Sequence, residues 1–206
     1  DACHALGSNY KFNPAGNCKY SDITVFSFHA VKAITTGEGG MATTNNKYLA
    51  EKLFTFRTHG IIRDKKKKLY YEQQFLGYNY RITDIQAALG ISQLKKLDLF
   101  TKRRNNIARI YNKKLKNLPL VLPNVTTNSY SAFHLYVVRT KNKKTKFNLI
   151  NYLFKKKIFV SFHYIPIYRH QYYRKLIYET NLRKDFFSHI YQLSLLLDGG
   201  CFFFVS

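Results

Sequence analysis

Val25-Phe26-Ser27-Phe28-His29-Ala30-Val31-Lys32-Ala33-Ile34-Thr35-Thr36-Gly37-Glu38-Gly39-Gly40 is the stretch from which the rest of the chain can be read. Residues 22 to 28 are β-branched or aromatic at nearly every position. Such a run is expected to form a strand packed on both faces, as strands in a parallel sheet are. The polar, glycine-rich segment after it is then a loop at a strand's carboxyl end, where open α/β sheets place their ligand sites. Lys32 stands at that junction. An amine partly withdrawn from water beside a packed strand is a nucleophile toward carbonyls. The other reading is a lysine that snorkels its ammonium to solvent. Gly37, Gly39 and Gly40 allow the φ values a tight turn needs, and Glu38 between them satisfies local backbone donors.

Two further stretches bear on Lys32. Asp1-Ala2-Cys3-His4-Ala5-Leu6-Gly7 opens the chain, and Gly77-Tyr78-Asn79-Tyr80-Arg81 precedes Gln86-Ala87-Ala88. In order and spacing, the three stretches resemble motifs of the DegT/DnrJ/EryC1/StrS family of sugar aminotransferases, which use pyridoxal phosphate. The resemblance runs over roughly residues 1 to 196 and implies an α/β chain, the C-terminal part of a fold type I transferase. That fold has a mixed, mostly parallel sheet in its large domain and a small α/β C-terminal domain. Residues 1–118, including a long connecting helix, would belong to the large domain, and residues 119–206 to the small one.

The resemblance also implies roles for residues. Lys32 would carry the cofactor as a Schiff base and shuttle protons. Asp1 would pair with the protonated pyridine nitrogen, since the ring is an electron sink only in that form. Read alone, Asp1 is a surface aspartate. His4 would pack beside the ring or brace Asp1, and Ser27 would bond the cofactor phosphate. Asn79 would reach across a homodimer interface to the partner's cofactor phosphate, while Arg81 would hold its own loop through carbonyls. His29, His163 and Tyr164 are candidates for contact with the sugar substrate. For His163 and Tyr164, an aromatic lining between domains is the competing reading.

Composition bounds the alternatives. The 206 residues carry a formal charge of +23, which raises nucleic acid or anionic membrane as partners. Lysine outnumbers arginine 24 to 10, whereas base and phosphate recognition favours arginine's bidentate fork. The abundance of Asn, Ile, Tyr and Phe beside Lys matches A/T-rich codons, so we expect neither partner. Cys3, Cys18 and Cys201 form no CxxC pair and no even framework, which fits a reducing cytoplasm, and no zinc or other metal is expected. No run approaches a membrane span, and no basic-then-apolar segment marks a signal peptide.

Along the chain, residues 8 to 21 are turn-rich, and a short strand spans Met41 to Thr44. A helix is expected over about residues 46 to 58, with Leu49, Leu53, Phe54 and Phe56 apolar and Gly60 capping its end. Asp64 to Lys68 reads as an exposed basic crest. Thr83 and Gln86 form a capping box, so a helix starts after Arg81. A long basic helix follows from about residue 99 to Lys116, burying Ile107, Ile110, Tyr111, Leu115 and Leu118. Beyond Pro119 and Pro123 we expect strand 132 to 139, a helix from about 147 to 157, and strand 158 to 161. Tyr168 to Tyr178 reads as a loop, and Cys201 to Ser206 as an apolar tail where the family has a final helix.

By this resemblance the chain takes an amino group from glutamate to the C4 keto carbon of a nucleotide-linked deoxy sugar. Phe26 to Thr36 with His163 to Ile167 looks most like the UDP-linked branch that serves pseudaminic acid in cell-surface or flagellar glycans. The family's phosphate-binding loop and ring-stacking aromatic precede its aspartate motif. The chain therefore reads as an N-terminally truncated member that does not transaminate by itself. Alternatives are a dehydratase-like relative, against which Lys32 argues, an inactive fragment, and a basic nucleic-acid-binding module.

Overall fold

A computed structural model describes residues 1–63, 70–161, 167–180 and 201–204. The chain forms two units, Asp1–Ile107 with Val125–His134, and Ala108–Asn124 with Leu135–Ser206. In chain order the first stretch holds β1 (Asn9–Tyr10), β2 (Asn13–Pro14), β3 (Thr24–Ser27) and β4 (Gly40–Thr43). Helix α1 (Lys47–Arg57), β5 (Ile61–Arg63), β6 (Tyr71–Gln73) and α2 (Asp84–Leu94) follow. Helix α3 (Leu97–Leu115) leads to β7 (Leu120–Val121), β8 (Ser129–Tyr130), β9 (Val137–Thr140) and α4 (Lys143–Lys155). A 3-10 turn at Ile167–Arg169, α5 (Gln171–Thr180) and β10 (Cys201–Phe204) complete the described elements.

In the first unit, β3 and β4 pair antiparallel, with Ser27 opposite Gly40 and Thr24 opposite Thr43. Strand alternation turns Phe26 and Phe28 inward, where Ala2 and Ile34 join them under Ala5, Leu6, Ala15 and Leu97. Phe26 keeps 5% of its surface exposed, so cutting it to alanine would cost about 3–5 kcal/mol. Val25, on the opposite face, is 46% exposed. The expectation of a strand covered on both faces is therefore corrected within this chain. The opening segment lies along β3, with Ala2 N donating to Val25 O at 2.8 Å. The turn-rich residues 8 to 21 contain a hairpin, β1 with β2, whose free side is taken by β8.

Helix α1 begins where Asn46 Oδ1 accepts from Tyr48 N and Leu49 N. It ends at Arg57 with Thr58 as the cap, so Gly60 is not the cap: the left-handed turn begins at His59 (φ +59°), and the Gly60 N–H, two residues past the cap, returns to Thr55 O at 2.9 Å. Leu49 and Leu53 are half-buried, whereas Phe54 is 60% and Phe56 41% exposed, the Phe56 ring lying 4.4 Å from that of Phe75. Helix α2 carries the expected capping box of Thr83 and Gln86. Helix α3 buries a different stripe from the one its large apolar residues suggested. Thr101 and Ala108 are buried, whereas Ile107, Ile110 and Leu118 are exposed. Close approach favours small side chains at the contact, and periodicity in large residues does not report them.

The second unit is built on an antiparallel sheet in the order β10-β9-β7, against which α4 packs with Ile150 buried. Tyr136 Oη donates to Asn112 Oδ1 at 2.6 Å, and its ring meets Tyr111 edge-on at 5.0 Å. Several boundaries are corrected here. The strand expected from residue 132 starts at Val137, because Phe133 takes φ +44° and breaks the extended run. The helix expected from 147 begins at Lys143, where Asn142 Oδ1 caps Thr145 N at 2.9 Å. No strand forms at 158–161, which follows the positive φ of Lys157. Its place in the sheet is taken by β10, formed from the stretch read as an unsupported tail. The loop expected from Tyr168 is mostly α5. No described helix is long and apolar enough to cross a membrane.

Candidate active site

Lys32 lies in the connection between β3 and β4, and backbone bonds shape that connection closely. Phe28 N donates to Gly39 O at 2.8 Å, Thr36 N returns to Phe28 O at 2.9 Å, and Lys32 N donates to His29 O at 2.9 Å. Thr35 Oγ1 donates to Phe28 O and accepts from Gly37 N, while the buried Thr36 hydroxyl donates to Glu38 O at 2.7 Å. Ala33 and Ile34 are buried beneath the loop, and Lys32 is half-buried on it. The lysine is thus carried on a folded loop with an apolar underside.

Ser27 ends β3 and shares this turn. Its Oγ accepts from His29 N at 3.3 Å, which leaves the hydroxyl proton for another acceptor. His29 Nε2 stands 3.8 Å from Glu38 Oε1, both groups largely in solvent. Ser27, His29 and Lys32 are therefore brought together. The segment holding Asp1 and His4 lies beside β3 through the Ala2–Val25 bond, and the Asp1 carboxylate accepts from Cys3 N at 2.8 Å. The His4 ring meets His134 edge-on at 4.4 Å.

Asn79 belongs to a different cluster. It bridges Thr58 in an exposed loop held by Tyr78 N to Phe56 O at 2.7 Å and Tyr80 N to Arg57 O at 3.0 Å. No hydrogen bond among the described residues joins it to Ser27, His29 or Lys32. Arg81 is exposed on the same loop. Around it the surface is apolar, with Ile85 85%, Leu76 81% and Tyr80 70% exposed. His163 and Tyr164, and the basic crest from Asp64 to Lys68, lie outside the described residues.

The family model for DegT/DnrJ/EryC1/StrS aminotransferases matches residues 1–195. The chain belongs to that family. Within the DegT/DnrJ/EryC1/StrS family it is 41% identical, over 187 residues, to the UDP-4-amino-4,6-dideoxy-N-acetyl-beta-L-altrosamine transaminase of Campylobacter jejuni. That match takes in 89% of this chain and 48% of the relative. Among solved structures it is similar to Helicobacter pylori PseC, an aminotransferase involved in the biosynthesis of pseudoaminic acid. The TM-score is 0.78 at 37% identity, over 85% of this chain and 47% of that one. The sugar aminotransferase Spr1654 of Streptococcus pneumoniae, in its PMP form, gives a TM-score of 0.78 at 32% identity, over 85% and 47%. The chain spans about half the length of the curated relatives it matches. Its α/β fold is part of the fold type I arrangement of these aminotransferases.

One contact of this family member was not visible in its sequence. Gln86 Nε2 donates to Glu38 O at 3.0 Å, joining the start of α2 to the loop between β3 and β4. The capping pattern disclosed the Gln86 carbonyl end but not the partner of its amide end. Glu38, read as a residue satisfying local donors, contributes through its carbonyl as an acceptor for both Thr36 and Gln86.

Proposed function

We propose that this chain is the C-terminal part of a pyridoxal-phosphate-dependent aminotransferase that moves an amino group from glutamate to the C4 keto carbon of a UDP-linked deoxy sugar. The observation that carries the reading is the half-buried Lys32, held on a bonded loop beside the Ser27 hydroxyl. Campylobacter and Helicobacter relatives named for altrosamine amination and pseudoaminic acid support the substrate class. Spr1654, known in a PLP form, supports the cofactor.

The donor set fits the cofactor: an amine, a hydroxyl with its proton to give, and a carboxylate beside the same strand. Ser27 would hold the phosphate, Asp1 the ring nitrogen, and His4 would flank the ring. When bound, pyridoxal phosphate supplies an aldehyde and an electron sink. Lys32 Nζ would hold the cofactor aldehyde and, when free, would serve as the base that moves a proton at the reacting carbons. His29, with His163 and Tyr164, orients the sugar. Asn79 acts on the cofactor of a second copy in a homodimer, and the exposed apolar side chains around it suit coverage by that copy. The reaction is assigned to the cytoplasm, where free thiols such as Cys3 and Cys18 persist.

The test adds pyridoxal phosphate to the protein, reduces with borohydride and maps the adduct by mass spectrometry. The expected label sits on Lys32 and is lost in Lys32→Ala. Equal labelling of surface lysines in both proteins overturns the reading.

A further inference from the structure

We propose that Gln86 is a positioning residue for Lys32, tying the lysine-bearing loop to the start of α2 through a bond distinct from its helix-capping role. The Gln86 side chain has two working ends. Its Oε1 accepts from Thr83 N and Thr83 Oγ1, both at 3.0 Å, while Gln86 N donates to Thr83 Oγ1 at 3.3 Å. Those contacts complete the capping box, for which a glutamate serves as well as a glutamine. The Nε2 end adds something capping does not need, the 3.0 Å bond to Glu38 O.

That carbonyl is a junction. It also accepts the buried Thr36 hydroxyl at 2.7 Å. Thr36 N in turn donates to Phe28 O, and Phe28 N to Gly39 O. A continuous path of hydrogen bonds therefore runs from α2 through Glu38 and Thr36 to Phe28, the first residue after β3, where the turn bearing Lys32 begins. Residues 28–39 form no helix or strand of their own, so the position of Lys32 depends on such external ties. Because α2 starts immediately after the Asn79 loop, one amide joins the lysine loop to a segment far from it in sequence. A neutral donor is required: glutamate would keep the cap and set a carboxylate against the Glu38 carbonyl.

The inference rests on the proposed function only in its last readout. The experiment compares the protein with Gln86→Glu, Gln86→Ala and Thr83→Ala. It measures unfolding midpoints, amide hydrogen exchange at Phe28 and Thr36, and the initial rate at which pyridoxal phosphate is reduced onto Lys32 by borohydride. In that last reaction the cofactor aldehyde condenses with Nζ, water leaves, and hydride reduces the C=N bond. We expect Gln86→Glu to lower the midpoint less than Thr83→Ala does, speed exchange at Phe28 and Thr36 roughly fivefold, and slow labelling of Lys32 by a similar factor. Thr83→Ala lowers the midpoint and leaves both loop readouts in place. Wild-type exchange and labelling in Gln86→Glu, with both changed in Gln86→Ala, would reduce Gln86 to a helix cap and overturn the proposal. If exchange responds as expected but wild-type Lys32 takes no label, the cofactor reading fails and the positioning role stands.

Discussion

Gly90 faces Thr36 so closely that a Cβ at position 90 would lie 2.9 Å from Thr36 Cγ2. Helix α2 thus rests its bare backbone on the loop that carries Lys32. Alanine at 90 would ordinarily favour the helix by about 0.5–1 kcal/mol. Here overpacking costs about 1–3 kcal/mol, because Thr36 is buried and its hydroxyl is committed to Glu38 O. Gly90→Ala is therefore expected to lower the denaturant midpoint, and adding Thr36→Ser, which removes the methyl and keeps the hydroxyl, to restore it.

How far the sequence disclosed this site follows from which interactions are local. The Thr83–Gln86 box lies within three residues and was legible as a capping box. Lys32 and Ser27 share one turn, so their proximity was legible too. The Gln86–Glu38 bond and the Gly90–Thr36 contact join segments far apart in the chain, and no short pattern encodes them. The expected strands at 132–139 and 158–161 were misplaced because Phe133 and Lys157 take positive φ values that interrupt extended runs. The strand that completes that sheet comes from residues 201–204, well beyond any local signal.

The β1–β2 hairpin turns through Lys11 at φ +48° and Phe12 at φ +62°, with the Phe12 side chain 100% exposed. Two consecutive positive φ values are the geometry for which Asn-Gly is preferred. A left-handed non-glycine residue costs about 1–2 kcal/mol, part of which glycine returns as chain entropy. Phe12→Gly is expected to raise stability by about 0.5–1 kcal/mol, read as an upward shift in melting temperature. No change would show that the turn opens at little cost.

The Cys18 thiol is held below the usual thiol range by the hydroxyls of Thr24 and then Thr43, each 3.4 Å from Sγ. A lowered value means thiolate forms at lower pH, and the thiolate is the reactive species. Iodoacetamide should therefore modify Cys18 with a pH midpoint below the roughly 8.5 of an unperturbed thiol. Thr24→Val is expected to move that midpoint upward and slow modification at neutral pH. An unchanged profile in Thr24→Val would remove the hydroxyl from the explanation.

Tyr136 shows the opposite displacement. Burial, and then the neighbouring Tyr111, push its phenol above the usual value, and the protonated Oη donates to Asn112 Oδ1 at 2.6 Å. The folded state therefore binds this proton more tightly than the unfolded chain. Its contribution is complete below the unfolded value near 10 and declines as pH rises through the higher folded one. Tyr136→Phe removes the hydrogen bond and leaves the Asn112 acceptor half-buried, at a cost of about 1 kcal/mol at neutral pH. Measured by urea titration from pH 8 to 11, the gap between wild type and Tyr136→Phe should narrow as the phenol of the wild type ionises. A gap that stays constant across that range would place the phenol's influence in packing rather than in its proton.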